Sequence, residues 1–295
     1  MKIMITGSSG QLGSELARQL LQGGCDLGQL PAIYQGAQVL CPNRSQLDLP
    51  DAESIYKAVL DSAPDLVLHC AAKTAVDQCE EEPEATFQIN AEGTKFLAQA
   101  CANHSARLVY ISSDYVFSGE GTSPYREDEP CEPRSIYGKS KWMGEVYARQ
   151  ECPQTIILRT AWMYGLKGNN FVNTILRKGK EGKPFRVVDD QWGSPSNAMD
   201  VAYHLLWLAA KTDSGIYHCA GAGSCTWFEF AKAILDEARI LCQIIPCASG
   251  EYPSKVRRPR YSVLDHQKLY QLLNSAPRHW RPALKDYINQ LEGLQ

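Results

Sequence analysis

The run Lys2-Ile3-Met4-Ile5-Thr6-Gly7-Ser8-Ser9-Gly10-Gln11-Leu12-Gly13 joins a strand, a glycine turn and the start of a helix without a break. Its first five residues read as a buried strand, and an amphipathic helix follows from about Gln11 to Gln22, ended by Gly23-Gly24. Between them Gly7, Gly10 and Gly13 let the backbone turn tightly and come close to a pyrophosphate. The free N–H groups at the start of the helix would meet its charge. The spacing is Gly-x-x-Gly-x-x-Gly, not the commoner Gly-x-Gly-x-x-Gly. A plain strand–helix turn can carry glycines too. The strand before and helix after are what turn the pattern into a dinucleotide site.

The stretch from Gly24 to Ala37 shows little periodicity and reads as a surface excursion. Gln38-Val39-Leu40-Cys41 is the second strand, and the adenosine ribose of a dinucleotide would lie at its end. NAD-selective sites place an acid there, whereas this chain has Pro42-Asn43-Arg44. The forked donors of Arg44 suit a 2′-phosphate, which makes NADPH the expected cofactor with NADH also admitted. An exposed arginine with no ligand would look the same. A helix opens after Asp48-Leu49, marked by Pro50, Asp51 and Glu53. The strand ending His69-Cys70-Ala71-Ala72 brings two small side chains, Ala71 and Ala72, against which a cofactor can lie. A helix through Asn90 to about Asn103 leads to the strand Arg107–Ser113, which delivers Ser112 and Ser113 to the same sheet edge.

Tyr137 and Lys141 stand four apart on the next helix and so share a face. An ammonium beside a phenol stabilises the phenolate, and such a tyrosine exchanges protons with a reacting oxygen near neutral pH. A solvated helix face carries the same spacing. A long polar loop from Ser113 to Tyr137 suggests a site loop, and Gln154 to Thr160 is a further strand. Strand and helix alternate to about Arg159, which gives an α/β fold with a doubly wound parallel sheet, a Rossmann arrangement.

Past Gly165 the rhythm breaks. Asn169-Asn170-Phe171 opens a short helix, Met199 to Ala210 is an apolar helix, and Gly215 to Ala220 is a short strand. Two helices near Trp227–Arg239 and Leu284–Leu291 close the chain. The expected division is a dinucleotide-binding unit of residues 1–165, to which 188–212 return, and a smaller α/β substrate unit of 166–187 and 213–295. Lys255, Arg257, Arg258 and Arg260, beside Pro253 and Pro259, concentrate positive charge. That run is either solvated surface or a clamp for a substrate diphosphate.

Composition sets the outer limits. The chain has 295 residues, 44% of them hydrophobic and 21% charged, as in a soluble globular protein. A net charge of -3 argues against nucleic acid or an anionic membrane as partner. No apolar run approaches the ~20 residues of a membrane span, and no secretory-signal layout is present, so a cytoplasmic protein is expected. Eleven cysteines include no Cys-x-x-Cys pair or zinc spacing, so reduced thiols and no metal are expected. His69, inside a strand, reads as packed.

Taken together, Thr6-Gly7-x-x-Gly10-x-x-Gly13, Ser112-Ser113 and Tyr137-x-x-x-Lys141 resemble the extended short-chain dehydrogenase/reductase family. The runs Thr74-Ala75-Val76-Asp77, Ser113-Asp114-Tyr115-Val116-Phe117, Gly168-Asn169-Asn170-Phe171, Asp190-Gln191-Trp192-Gly193-Ser194-Pro195 and Ser262-Val263-Leu264-Asp265 resemble its dTDP-4-dehydrorhamnose reductase branch. The resemblance covers nearly the whole chain. It implies that Ser113, where the family usually has threonine, hydrogen-bonds a keto oxygen that Tyr137 protonates. It implies that Lys141 holds the nicotinamide ribose and lowers the Tyr137 pKa. It further places Gly7, Gly10, Gln11 and Leu12 on the pyrophosphate, Asp48 and Leu49 on the adenine, and Ala71, Ala72 and Thr74 near the ribose. Val76, Asp77, Tyr115, Trp162, Asn170 and Trp192 would line a dTDP-sugar site. Lys73, Ser196 and Tyr261 depart from the family pattern and leave the sugar's identity open. Some members form homodimers around magnesium through glutamates. Only Glu15 matches such a position, so a homodimer remains open and no metal is assigned.

Two other readings compete. An epimerase or dehydratase of the same superfamily would retain its cofactor, but a dehydratase usually carries an acid pair beside the strand-end hydroxyl, and here Tyr115 follows Asp114. A non-catalytic, cofactor-binding regulatory subunit is the other, against which the retained Ser113, Tyr137 and Lys141 weigh.

Overall fold

The computed structural model describes residues 1–251 and 256–293, so Pro253 and Lys255 of the basic run lie outside the described residues. Six parallel strands form the main sheet: β1 (Lys2–Thr6), β2 (Gln38–Leu40), β3 (Leu66–His69), β4 (Arg107–Ser113), β5 (Thr155–Thr160) and β6 (Gly215–His218). Their spatial order is β2-β1-β3-β4-β5-β6. The chain leaves β1 to one side and returns on the other, so a switch point opens between the carboxyl ends of β1 and β3, where such sheets bind ligands.

Covered on both faces, the central strands read as unbroken apolar runs. Ile3, Ile5, Leu66, Leu68, Val109 and Leu158 pack on one face against α1 (Gln11–Gln22) and α6 (Ala198–Lys211). Met4, Val67, Leu108, Tyr110 and Ile157 take the other face, against α2 (Ala52–Ser62) and α3 (Gly93–Asn103). The Asp51 side chain caps α2 by accepting from the N–H groups of Glu53 and Ser54, as its position before the helix leads one to expect.

A separate apolar cluster joins α5 (Phe171–Lys180), α7 (Trp227–Glu237) and α9 (Trp280–Gly293), with Val172, Ile175, Phe230, Ile234, Trp280 and Leu284 at its centre. Strands Phe185–Val188 and Ile244–Cys247 pair beside it in parallel.

Three sequence expectations change. Strand β6, expected in the second unit, pairs with β5 from Gly215↔Ile156 to His218↔Arg159 and completes the main sheet, while α8 (Gln267–Leu273) packs on β6 and α6. The boundary at 213 does not hold there, because four half-apolar residues carry no signal of which sheet edge they will cover. The excursion at Gly24–Ala37 is anchored: Tyr34 is buried and its hydroxyl donates to the Leu206 carbonyl at 2.7 Å. The helix running to Asn103 widens into a π turn at Gln88–Glu92. Among the described residues no helix is long and apolar enough to cross a membrane. All eleven cysteines are unpaired.

Candidate active site

A crevice of about 770 Å³ opens at the switch point. Its floor is the glycine turn. Gly7 adopts φ 68°, and a Cβ there would stand 2.7 Å from the Ala71 nitrogen, so only glycine allows the turn and the neighbouring strand end to approach. The N-cap of α1 is Gly10, with no side-chain hydrogen bond, which leaves first-turn N–H groups free for an anion. The Gln11 Oε1 is buried there without a partner. An unsatisfied acceptor beside bare helix N–H groups fits a polar, phosphate-bearing ligand, and a dinucleotide's pyrophosphate and ribose satisfy both.

Chemistry gathers on the opposite wall. Ser135 caps α4 (Ile136–Glu151), accepting from the Gly138 N–H at 3.0 Å. Gly138 has no side chain to keep the helix off the Tyr115 carbonyl. The helix therefore sits close to the end of β4, and the Tyr137 hydroxyl shares the crevice wall with Ser113, which draws its pKa down. Tyr115 packs edge-on against the Tyr137 ring, centroids 5.5 Å apart. One turn on, Lys141 is buried with its ammonium 4.1 Å from the centroid of the Tyr110 ring. Another turn on, Glu145 is buried in a two-pronged bond with Arg159, at 2.9 and 2.7 Å. Asn90, in the π turn, accepts from the Lys73 N–H and donates to the Lys73 carbonyl and to Ser140, tying the Ala71–Thr74 turn to α4.

Burial governs the electrostatics. Tyr137 is pushed above its ordinary range by desolvation, with the Ser113 hydroxyl pulling the other way. The lowering expected from the neighbouring cation is not found; burial decides the direction. Lys141 itself is lowered to about 7 by burial, partly offset by Glu145. A protonated phenol is the form that can give a proton to a carbonyl oxygen. His69 lies between Thr6 and Thr94, at 2.7 and 3.1 Å, and is lowered to about 3 by burial and by Lys141, so it stays neutral and packed.

Of the expected residues, Gly7, Gly10, Gln11, Leu12, Gly13, Ala71, Ala72, Thr74, Val76, Ser113, Tyr115, Tyr137, Lys141, Trp162 and Arg258 line this crevice. Asp77 lines a second cavity, of about 790 Å³, and pairs with Arg258 at 3.0 Å. The two cavities share Phe171, Gln191, Trp227 and Arg258.

Several expected residues sit elsewhere. Leu49 is packed in the core, where Gly93 lies against its carbonyl, so its side chain is not available to an adenine. Asn170 caps α5: its Oδ1 accepts from the Asn173 N–H at 2.9 Å and its Nδ2 donates to Gly165 and Tyr287. Both ends of its amide are thus engaged by protein. Trp192 is 41% exposed and outside both cavities, its backbone paired with Arg260 and Ser262. The Arg44 side chain is 81% exposed and paired at 3.1 Å with Asp48, four residues on. Glu15 is engaged by Arg18 and Gln19. Among the described residues, no three His, Cys, Asp or Glu side chains group as a metal site.

Other residues of the site escaped notice. Trp227 stacks flat on Trp162, centroids 3.4 Å apart and planes at 4°, and Trp162 holds this pose at φ 46°, a left-handed backbone rare for so bulky a residue. Trp227 opens a helix with aromatic spacing that any core helix shows, so nothing marked it. Asp114, which in the sequence stood out only for lacking an adjacent second acid, is buried beside Ser113.

Residues 1–292 match the family described as RmlD substrate binding domain. The chain is 40% identical over 289 residues to the spore coat polysaccharide biosynthesis protein SpsK of Bacillus subtilis, covering 98% of this chain and 97% of that one. A dTDP-4-dehydrorhamnose reductase of Clostridium acetobutylicum superposes with a TM-score of 0.92 at 38% identity, covering 99% and 100% of the two chains. The dTDP-4-dehydrorhamnose reductase of Bacillus anthracis in complex with NADP gives 0.91 at 34%, covering 98% and 99%.

Proposed function

Because the chain belongs to the RmlD substrate binding domain family, we propose that it is an NAD(P)H-dependent reductase of the 4-keto group of a dTDP-6-deoxyhexulose, converting dTDP-4-dehydrorhamnose to dTDP-L-rhamnose. The observation that carries this is the meeting of Ser113, Tyr137 and Lys141 in one crevice with the Gly7–Gly13 turn.

The cofactor is a nicotinamide dinucleotide, and bound at the turn it supplies hydride to the keto carbon. Gly7, Gly10, Gln11, Leu12 and Gly13 would hold its pyrophosphate, Ala71, Ala72 and Thr74 its ribose region. Ser113 and Tyr137 would hold the keto oxygen, and Tyr137, kept protonated by its surroundings, would donate the proton. Lys141 would bind ribose hydroxyls and carry the positive charge that favours the departing proton. Val76, Tyr115 and Trp162 would face the sugar. The second cavity, with Lys178, Arg186 and Arg258 on its walls, suits the nucleoside diphosphate, and Asp77 would set the position of Arg258.

NADPH is the proposed form, on the strength of Arg44 at the end of β2 where an acid would select NAD. Assembly as a homodimer belongs to the proposal; a role for magnesium does not, since Glu15 is already engaged. Eleven unpaired thiols support a cytoplasmic setting. The test is to supply NADPH, or NADH, with dTDP-4-keto-6-deoxy-L-hexulose. Stoichiometric loss of reduced nicotinamide with formation of dTDP-L-rhamnose is expected. A sugar product formed without net nicotinamide oxidation would mark an epimerase instead, and cofactor binding without any turnover a regulatory subunit.

A further inference from the structure

Asp114 is a buried acid to which the reaction just described gives no work. It is 3% exposed, at the end of β4 next to Ser113. Among the described residues it makes no ion pair, and Arg258, which shares its cavity, is paired to Asp77. Its Oδ1 lies 2.7 Å from the Ser113 Oγ, while Oδ2 is buried without a hydrogen bond of ordinary geometry. Ser113 Oγ also accepts from the Tyr115 N–H at 3.2 Å.

A serine hydroxyl has one hydrogen. If Asp114 is ionised, the short contact to Oδ1 takes that hydrogen, and Ser113 faces the crevice only as an acceptor. It can then hold the Tyr137 hydroxyl but cannot donate to a carbonyl oxygen. If Asp114 is neutral, its own O–H bridges to Ser113 Oγ, and the serine hydrogen is released toward the crevice. The unpartnered Oδ2 is then a carbonyl oxygen, which is far cheaper to leave bare in a buried site than half of a carboxylate.

We propose that Asp114 works as a neutral acid that donates to Ser113, so turning Ser113 from acceptor into donor toward the keto oxygen when substrate is bound. Asp114 is thus a positioning residue acting through Ser113: as ligands close the crevice its carboxylate takes up one proton from solvent, the new O–H donates to Ser113 Oγ, and the serine hydrogen turns from Oδ1 toward the keto oxygen. The groups facing it are Ser113 from its own strand, Tyr115 and Tyr137, Ser262 and Arg258 from the segment across the crevice, and Lys141 further along the wall. Burial already pushes Asp114 up to about 6, with the nearby Ser113 and Ser262 hydroxyls pulling the other way. Ligands that displace water from the crevice act in the same direction.

The inference rests on the reductase reading, and the experiment separates the two. The pH dependence of kcat is measured with NADPH and dTDP-4-keto-6-deoxy-L-hexulose for the wild type, Asp114→Asn, Ser113→Ala and the double variant. Wild-type kcat should fall about tenfold per pH unit above the Asp114 ionisation. Asp114→Asn, whose amide donates at every pH, should lose that limb and keep only the alkaline one. In the Ser113→Ala background, Asp114→Asn should change nothing further. A drop of the same factor at every pH, or an equal penalty with and without the serine hydroxyl, would overturn the proposal. NADPH affinity reports that each variant is folded. In the NADPH-loaded protein the infrared band of a protonated carboxyl should be present and should vanish in Asp114→Asn. Its absence from the wild type overturns the proposal even if that sugar nucleotide is not turned over, an outcome that would by itself sink only the reductase reading.

Discussion

The ammonium of Lys141 rests 4.1 Å above the centroid of the Tyr110 ring, in a wall from which water is largely excluded. An aromatic face compensates a buried cation only in part, and burial lowers Lys141 to about 7 despite the Glu145 carboxylate one turn away. The folded pKa therefore lies below the unfolded value of ~10.4, so between about 7 and ~10.4 the unfolded chain binds more protons and stability rises with pH. Below about 7 the buried charge works against folding. Lys141→Met should consequently raise stability of the ligand-free protein at pH 6–7 by roughly 1–2 kcal/mol, as activity-for-stability exchanges usually do. It should also abolish most turnover. Urea unfolding of both proteins at several pH values measures this, and a less stable Lys141→Met at pH 6 would contradict it.

Tyr137→Phe removes only the hydroxyl that shares the crevice with Ser113. Loss of a general acid should lower kcat by ~10²–10⁴-fold. The glycine turn is untouched, so NADPH affinity by fluorescence titration should stay within about threefold of wild type, a change worth less than 1 kcal/mol. Turnover that survived the change would mean that another group protonates the oxygen.

How far the sequence reached depends on whether a residue's role is set by its neighbours in the chain or by the fold. Ile3–Ile5 and Leu66–Leu68 are apolar on both faces, and only a covered parallel strand wants that. Gly7 and the Tyr137–Lys141 spacing carry their chemistry in local geometry and were readable. Asn170 was not: an asparagine before a helix caps it or binds a ligand with the same atoms, and only the contacts to Gly165 and Tyr287 decide. Leu49 shows the same limit, since its motif position says nothing of which way its side chain packs. The φ 46° of Trp162 is imposed from outside, by the Trp227 face and by Gly193, where any side chain would run into the indole. No local pattern encodes it.

Arg258 stands at the join of the two cavities and is paired at 3.0 Å with Asp77, 181 residues away in sequence. A diphosphate there would gain a charged hydrogen bond, worth ~1.5–3 kcal/mol. Arg258→Gln should therefore raise KM for the sugar nucleotide roughly 10- to 100-fold. It should leave kcat and NADPH affinity nearly unchanged, since the interaction is the same in ground and transition states. Steady-state kinetics separate the two constants; a loss confined to kcat would place Arg258 at the reacting carbonyl instead.

Arg159 and Glu145 form an ion pair with side chains only 2% and 4% exposed, directly behind the Lys141 turn of α4. The guanidinium also lies 5.0 Å from the Phe117 ring and donates to the Glu127 carbonyl and the Cys131 sulfur. Removing water from two charges costs nearly as much as their attraction returns, so the pair as a whole adds little net stability. Losing one partner is different, because the other is left charged in a dry site. Arg159→Met should destabilise by about 3–5 kcal/mol. Adding Glu145→Leu should recover much of that loss, because no isolated charge remains. The double variant would nonetheless be impaired in turnover, since Lys141 then has no carboxylate to sustain its charge and its pKa falls further. Urea unfolding of the single and double variants, set beside their kcat, tests the two halves of this claim separately. Equal stability of the single and double variants would show that packing around the guanidinium, not the unpaired carboxylate, dominates.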